Sequence, residues 1–225
     1  KIGSSSVPIS AFVNLWSQIA DKYKDNDTVY GYDLMNEPLL DLAVWKDAAQ
    51  QAVDAIRKKD TRHYILVEGL AYSKATTFGP ASTSGNRTLD IRDPIGRLVY
   101  SAHSYWDYQE APPNYASDGN YLSSDAPTPQ IGVDHVRPFV EWLKTERPYA
   151  FGNVGEFGVP HNFPAHIAGW QTALGNFLQY LRDNGLSATY WAGGSAWGNY
   201  QLSCHPTTPG VDKPQMAVLE LYNNN

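Results

Sequence analysis

Short apolar runs alternate with amphipathic helical patterns along this chain, and that alternation limits the possible folds more than any other feature. The runs at residues 29–35, 63–67, 98–102, 151–155 and 188–192 read as strands buried in a sheet. Phe12, Leu15, Trp16, Ile19 and Tyr23 recur at helical spacing, as do Trp45, Ala49, Ala52, Val53 and Ile56. Ser10 is the expected cap of the first helix and Asp41 that of the second, which runs out at Arg57-Lys58-Lys59-Asp60. Further helical patterns fall at 133–146, 166–184 and 215–222. Strand, helix and strand in succession imply a parallel sheet covered by helices. Two segments break the rhythm, 71–97 and 106–132, both rich in Gly, Pro, Ser, Thr and Asn. Loops of that length inside a compact domain are expected to be functional or disordered.

Composition removes several classes of function. The 225 residues suit one ordinary domain or two small ones, and a hydrophobic fraction of 42% argues against disorder. Acidic residues outnumber basic ones by 23 to 17, for a net charge of −6, so no basic face for nucleic acid is expected. No apolar run approaches the length of a membrane span. The single cysteine, Cys204, excludes an intrachain disulfide framework and a cysteine-built zinc site. The chain opens on Lys1 with no charged and apolar leader pattern, which leads us to expect a processed end or a break just upstream. Its 15 Tyr and 7 Trp either fill a core or offer platforms to a ring-shaped ligand, and their positions must decide.

In parallel α/β proteins the ligand sits beyond the carboxyl ends of the strands. Those ends carry Asn36-Glu37-Pro38, Glu68-Gly69, His103-Ser104-Tyr105-Trp106, Glu156-Phe157-Gly158 and Tyr190-Trp191-Ala192-Gly193-Gly194. Glu37 and Glu156 are candidates for a carboxylate pair, which would suit glycosidic cleavage: one group would protonate the leaving oxygen and the other stabilise or trap the oxocarbenium-like centre. Glu68 is equivalent to them by position and is the weaker candidate. Tyr105 shares a strand face with His103, and its phenol could hold a neighbouring carboxylate ionised. Trp191 is either core or a floor for a sugar ring. Trp106 and Trp197 fall in loops, where a large exposed apolar surface calls for a ligand.

Four blocks together carry a family resemblance. Tyr30-Gly31-Tyr32-Asp33-Leu34-Met35-Asn36-Glu37-Pro38, His103-Ser104-Tyr105, Val154-Gly155-Glu156-Phe157-Gly158, and Tyr190-Trp191-Ala192-Gly193-Gly194 with Trp197-Gly198 resemble glycoside hydrolase family 5, especially its cellulase-like members. The resemblance implies an α/β fold, the (β/α)8 TIM barrel, of which this chain supplies about strands four to eight. It further implies retaining hydrolysis of β-linked glycans by double displacement, without a metal or other cofactor. Glu37 would be the acid/base at the end of strand four and Glu156 the nucleophile at the end of strand seven. Asn36 would bind the 2-hydroxyl of the sugar. His103 and Tyr105 would line the −1 subsite, with Tyr105 orienting Glu156, and Trp191 would stack beneath the sugar. Trp106 and Trp197 are the further candidate platforms, while Glu68 matches no catalytic residue of the family.

Counting back from Glu37 leaves one helix and no room for barrel strands one to three, so residues 1–225 are expected to be a partial catalytic domain. Five strands cannot close a barrel. A complementary polypeptide segment of roughly 70 to 110 residues is therefore an expected partner, beside a β-linked polysaccharide or oligosaccharide substrate. β-1,4-Glucan is the leading substrate, ahead of mannan, xyloglucan and β-1,3-glucan. Two other readings are a non-catalytic glycan-binding module and a metal-dependent enzyme with Glu37, His103 and Glu156 as ligands. A polymeric substrate implies a secreted protein. Asn26-Asp27-Thr28 and Asn86-Arg87-Thr88 fit the pattern of glycosylation acceptors.

Overall fold

The computed structural model describes residues 1–107 and 119–223, so residues 108–118 of the second long loop lie outside the described residues. In chain order the elements are α1 (Ile9–Tyr23), β1 (Gly31–Asp33), α2 (Leu42–Arg57), β2 (Tyr64–Glu68), β3 (Leu98–Ser104), α3 (Ile131–Glu146), β4 (Phe151–Phe157), α4 (Ile167–Asp183), β5 (Ser187–Tyr190) and α5 (Met216–Tyr222). Short 3₁₀ turns occupy Ala75–Phe78, Asn86–Thr88 and Ser195–Trp197. The strands form one sheet in the order β1-β2-β3-β4-β5. β2 runs parallel to both β1 and β3, with Asp33 opposite Leu66 and Glu68 opposite Ser101. An α/β sheet in strict chain order is the topology of consecutive strands in a (β/α)8 barrel.

The chain divides into two compact units, Lys1–Ala102 with Phe139–Asn153, and His103–Pro138 with Val154–Asn225. In the first, Trp45, Ala49, Ala52, Val53 and Ile56 lie on one stripe of α2 and are all fully buried. Phe12 of α1 packs against Trp45 with ring centroids 6.2 Å apart. Asp41 caps α2 as expected, its carboxylate accepting from the N–H groups of Ala43 at 2.9 Å and Val44 at 3.4 Å. Ser10 is not a cap. α1 is entered from Pro8, whose ring fixes φ at −65° and which offers no side-chain bond, and Ser10 lies within the helix. The β2–β3 connection, 71–97, contains no α-helix. There Phe78 fills the gap by packing on Phe139 at 4.9 Å and Trp142 at 4.8 Å, and Trp142 also meets Tyr100 at 4.9 Å.

Both edges of the sheet depart from the sequence pattern. β1 is three residues long rather than spanning 29–35, with only Tyr32 of the three buried, and the backbone is in the left-handed region by Glu37. β5 was expected to be buried at 188–192, yet Ser187, Ala188 and Thr189 are exposed and Tyr190 is half-buried. An edge strand has a neighbour on one side only, so apolar content alone does not ensure its cover.

Two buried polar clusters hold the first unit below the sheet. Arg57 forks onto Asp93, with Nε–Oδ1 at 2.8 Å and Nη2–Oδ2 at 2.9 Å, both side chains shut off from solvent. Asp60, 2% exposed, accepts from Tyr32 Oη at 2.6 Å, from the N–H groups of Arg62 at 2.7 Å and His63 at 3.1 Å, and pairs with His63 Nδ1 at 2.5 Å. In the second unit, Trp170, Leu174, Phe177 and Leu181 bury one face of α4. Phe177 meets Trp106 at 4.8 Å and Phe157 at 5.1 Å.

Burial pushes the Asp60 carboxyl up, and the hydrogen bonds it accepts outweigh this and hold it at about 2, against an ordinary value of 3.8. A depressed folded value stabilises the protein above the unfolded value, and that stabilisation is lost as pH falls through about 2. Asp60→Asn is therefore expected to lose on the order of 2 kcal/mol at pH 7. Urea denaturation of both proteins at a series of pH values should show the difference shrinking between pH 4 and pH 2.

Candidate active site

The end of β1 turns sharply through Asn36, Glu37 and Pro38. Pro38 is buried, Asn36 is exposed and Glu37 lies half-buried between them. Glu37 has φ +45°, in the left-handed region, where a residue with a Cβ is strained by on the order of 1 to 2 kcal/mol. Its N–H donates to Glu68 Oε2 at 2.7 Å, and Glu68 is only 2% exposed. The main-chain oxygen of Glu68 in turn accepts from Trp45 Nε1 at 2.8 Å, which fixes the end of β2 to α2. Sequence position suggested Glu68 as a candidate; its hydrogen-bonded partner, 31 residues away, could not be read from the sequence.

After Glu68 the backbone enters a second strained turn. Ala71, Tyr72 and Ser73 take φ values of +55°, +58° and +49° in succession. Two fully buried side chains hold them. The Ser73 hydroxyl accepts from Gly69 N–H at 2.9 Å and donates to Ser101 O at 2.7 Å. The Asn86 carboxamide accepts from Leu70 N–H at 2.8 Å and donates to Leu70 O at 2.9 Å and Thr77 Oγ1 at 2.7 Å. Gly69 leaves no room for a side chain, since a Cβ there would lie 2.8 Å from Asn86 and the Phe78 ring. Asn86 is thus a buried structural amide and no acceptor for a glycan, whereas Asn26 is exposed.

The second unit carries the remaining candidates. His103 and Tyr105, at the end of β3, are buried, and Glu156 of β4 is half-buried. Tyr105 Oη donates to Glu156 Oε2 at 2.7 Å, and His103 Nδ1 stands 3.5 Å from the same oxygen. Burial, and after it the Glu156 charge and hydrogen bond, push the Tyr105 phenol far above its ordinary value. It therefore stays protonated and donating, which favours the ionised form of Glu156. The position of Tyr105 is itself fixed by His135 of α3, whose Nδ1 lies 2.9 Å from Tyr105 O. Burial pulls His135 down to about 4, so the ring is neutral, and its Nδ1 must carry the proton because a carbonyl only accepts. His135 sat within a plain helical pattern and gave no sequence signal.

The three tryptophans separate. Trp191 and Trp197 are half-buried and meet edge-on at 4.7 Å, with Tyr200 5.3 Å beyond Trp197. Trp106 departs from expectation. It is 0% exposed, and a ring with no open face cannot stack on a sugar. Its Nε1 donates to Ser104 Oγ at 3.0 Å, and Gly132 lies so close that a Cβ there would be 2.6 Å from the ring. The Trp106 N–H donates to Tyr121 Oη at 2.8 Å, which donates onward to Gly158 O at 2.8 Å. Tyr121 thereby ties the end of β3 to the end of β4.

Residues 2–196 match the family model for Cellulase (glycosyl hydrolase family 5). The chain belongs to that family. Its similarity to endo-beta-1,4-glucanase B of Aspergillus niger is 28% identity over 217 residues, 95% of this chain and 60% of the relative. With endoglucanase 3 of Humicola insolens it shares 31% identity over 202 residues, 88% of this chain and 47% of the relative. Among solved structures of the family, Pseudomonas stutzeri endoglucanase Cel5A in complex with cellobiose superposes with a TM-score of 0.83 at 38% identity, covering 98% of this chain and 62% of that one. The α/β sheet expected from the strand and helix alternation is present, and it corresponds to the five-strand part of the family 5 barrel that the resemblance implied; the chain spans about 60% of the length of the Aspergillus and Pseudomonas enzymes.

Trp106→Ala should behave as a core truncation and lose about 3 to 5 kcal/mol, whereas Trp197→Ala should change stability by less than about 1.5 kcal/mol. Denaturant unfolding of the two variants checks this. Unchanged stability in Trp106→Ala, with loss of glycan binding instead, would restore it as a platform.

Proposed function

We propose that this chain carries the catalytic pair of an endo-acting β-1,4-glucanase that hydrolyses cellulose-like polysaccharide with retention of configuration. The observation that carries the reading is the arrangement around Glu156, where a buried phenol donates to one carboxylate oxygen at 2.7 Å and so supports it as an anion. Membership of family 5 and the likeness to endoglucanases support the substrate class.

In the proposed reaction the Glu156 carboxylate attacks the anomeric carbon while Glu37 gives its proton to the departing glycosidic oxygen. The bond from carbon to that oxygen breaks, and an ester between Glu156 and the sugar forms. Glu37, now ionised, takes a proton from water; the water oxygen bonds to the anomeric carbon and Glu156 departs unchanged. Attack by a side chain with no intervening water requires carboxyl groups about 5 to 5.5 Å apart. Asn36 is proposed to bind the 2-hydroxyl, His103 and Tyr105 to line the subsite, and Trp191 with Trp197 to supply apolar faces for the sugar. Trp106, fully buried, is not one of these faces. The scheme uses no metal, so activity should persist in chelator.

Residues 1–225 are proposed to serve one catalytic domain together with further polypeptide that completes the barrel. The longer relatives support this, as does the exposed edge strand β5. Among the described residues no helix is long and apolar enough to cross a membrane. Secretion is proposed from the polymeric substrate.

The test assays the intact protein that contains this chain on β-1,4-glucan, mannan, xyloglucan and β-1,3-glucan, with and without chelator. β-1,4-Glucan should be the best substrate. Glu156→Gln should abolish hydrolysis while calorimetry still detects cello-oligosaccharide binding. Wild-type protein that binds β-1,4-glucan without cleaving it, or a Glu156→Gln variant that retains activity, would contradict the reading.

A further inference from the structure

Glu68 has no place in the reaction just described, yet it is the most thoroughly buried of the strand-end carboxylates. Its Oε2 accepts the Glu37 N–H at 2.7 Å, and its main-chain oxygen accepts Trp45 Nε1 at 2.8 Å. The residues that follow it are pinned by Ser73 and Asn86 through bonds of 2.7 to 2.9 Å. Glu68 is therefore a rigidly mounted acceptor, and what it accepts is the amide of a residue held at φ +45°. A strained backbone persists only where its surroundings over-determine it. A carboxylate so little exposed needs strong compensation for its lost hydration.

We propose that Glu68 is a positioning residue that fixes the backbone of Glu37 in its left-handed conformation and thereby aims the Glu37 carboxyl at the departing oxygen. The proposal rests on Glu37 being the acid/base. It assigns Glu68 an effect on the proton-transfer step alone, which a general loss of structure would not reproduce.

The experiment compares two aryl cellobiosides in the intact protein. Phenolate is a poor leaving group and needs the proton from Glu37, whereas 2,4-dinitrophenolate departs without it. For both, kcat/KM reports the first irreversible step, departure of the phenolate, and only the phenyl substrate takes the Glu37 proton in it. Glu68→Met removes the acceptor at similar volume and should lower kcat/KM for the phenyl substrate on the order of 10²-fold. For the dinitrophenyl substrate the fall should be less than about threefold, since acid assistance is not required there. Glu68→Gln keeps an oxygen acceptor and should recover most of the loss. Glu68→Asp draws the acceptor back by one methylene and should repeat the leaving-group-dependent loss, which decides the matter should Glu68→Met fail to fold. Glu37→Ala is the reference. If it shows the leaving-group dependence and the Glu68 variants slow both substrates equally, or neither, the positioning role is overturned alone. If Glu37→Ala itself lacks the dependence, the acid/base assignment falls, and the role of Glu68 falls with it.

Discussion

A parallel strand reaches its neighbour only by a long crossover, so each strand of such a sheet delivers its last residue at the same rim, where the next connection begins. Each of the two compact units follows that constraint. Asn36 and Glu37 follow β1, Glu68 ends β2, His103 lies near the end of β3 with Tyr105 just after it, Glu156 is the last residue but one of β4 and Trp191 follows β5. Geometry at a rim is not secured by the sheet ladder itself, because the backbone there has left the strand. Other groups must hold it, and the structure supplies them as buried polar side chains: Asn86 and Ser73 after β2, Tyr121 between the ends of β3 and β4, and His135 behind Tyr105. Each bond exchanges one with water for one within the protein and contributes little net stability, but leaving any of these groups unsatisfied would be costly. The result is a set of fixed positions rather than a large gain in stability.

The fold was legible where hydrophobic period and local chemistry agree. Residues 9–23 form a helix with the bounds its pattern implied, and Asp41 caps α2 through its own carboxylate, an interaction contained within three residues. Legibility failed where the deciding partner is distant in sequence. Ser10 has the right side chain for a cap, but Pro8 sets the entry of the helix. Trp106 sits in a stretch rich in Gly and Pro and looked exposed. Its burial comes from Phe177 and from the missing side chain of Gly132, which periodicity cannot reveal. β1 and β5 read as buried runs and prove to be the edges of the sheet, β1 shortened to three residues and β5 largely exposed.

The candidate site was legible in residue type and less so in support. Its carboxylates, imidazole, phenol and indole were evident at strand ends, and so was the family that carries them. Glu68 was evident as a strand-end carboxylate but not as the acceptor behind Glu37, whose amide lies 31 residues away, and the imidazole behind Tyr105 was not evident, because a histidine on a helix is ordinary in isolation. The two carboxylates are supported in different ways. Glu156 receives a hydrogen bond on its side chain, which acts on its charge, and Glu37 receives one at its backbone, which acts on its direction. That division suits the proposed roles of a nucleophile that must be ionised and an acid/base that must be aimed.

A glutamate that bonds to the sugar, as is proposed for Glu156, can be caught with a substrate whose intermediate is trapped. A 2-deoxy-2-fluoro cellobiosyl fluoride slows both steps through its 2-fluorine, while its good leaving group restores the first, so an ester intermediate accumulates. Mass spectrometry of peptides from the inactivated intact protein should find the added disaccharide on Glu156. A label on Glu37 or Glu68, or turnover that releases the inverted sugar with no labelled peptide, would contradict the account.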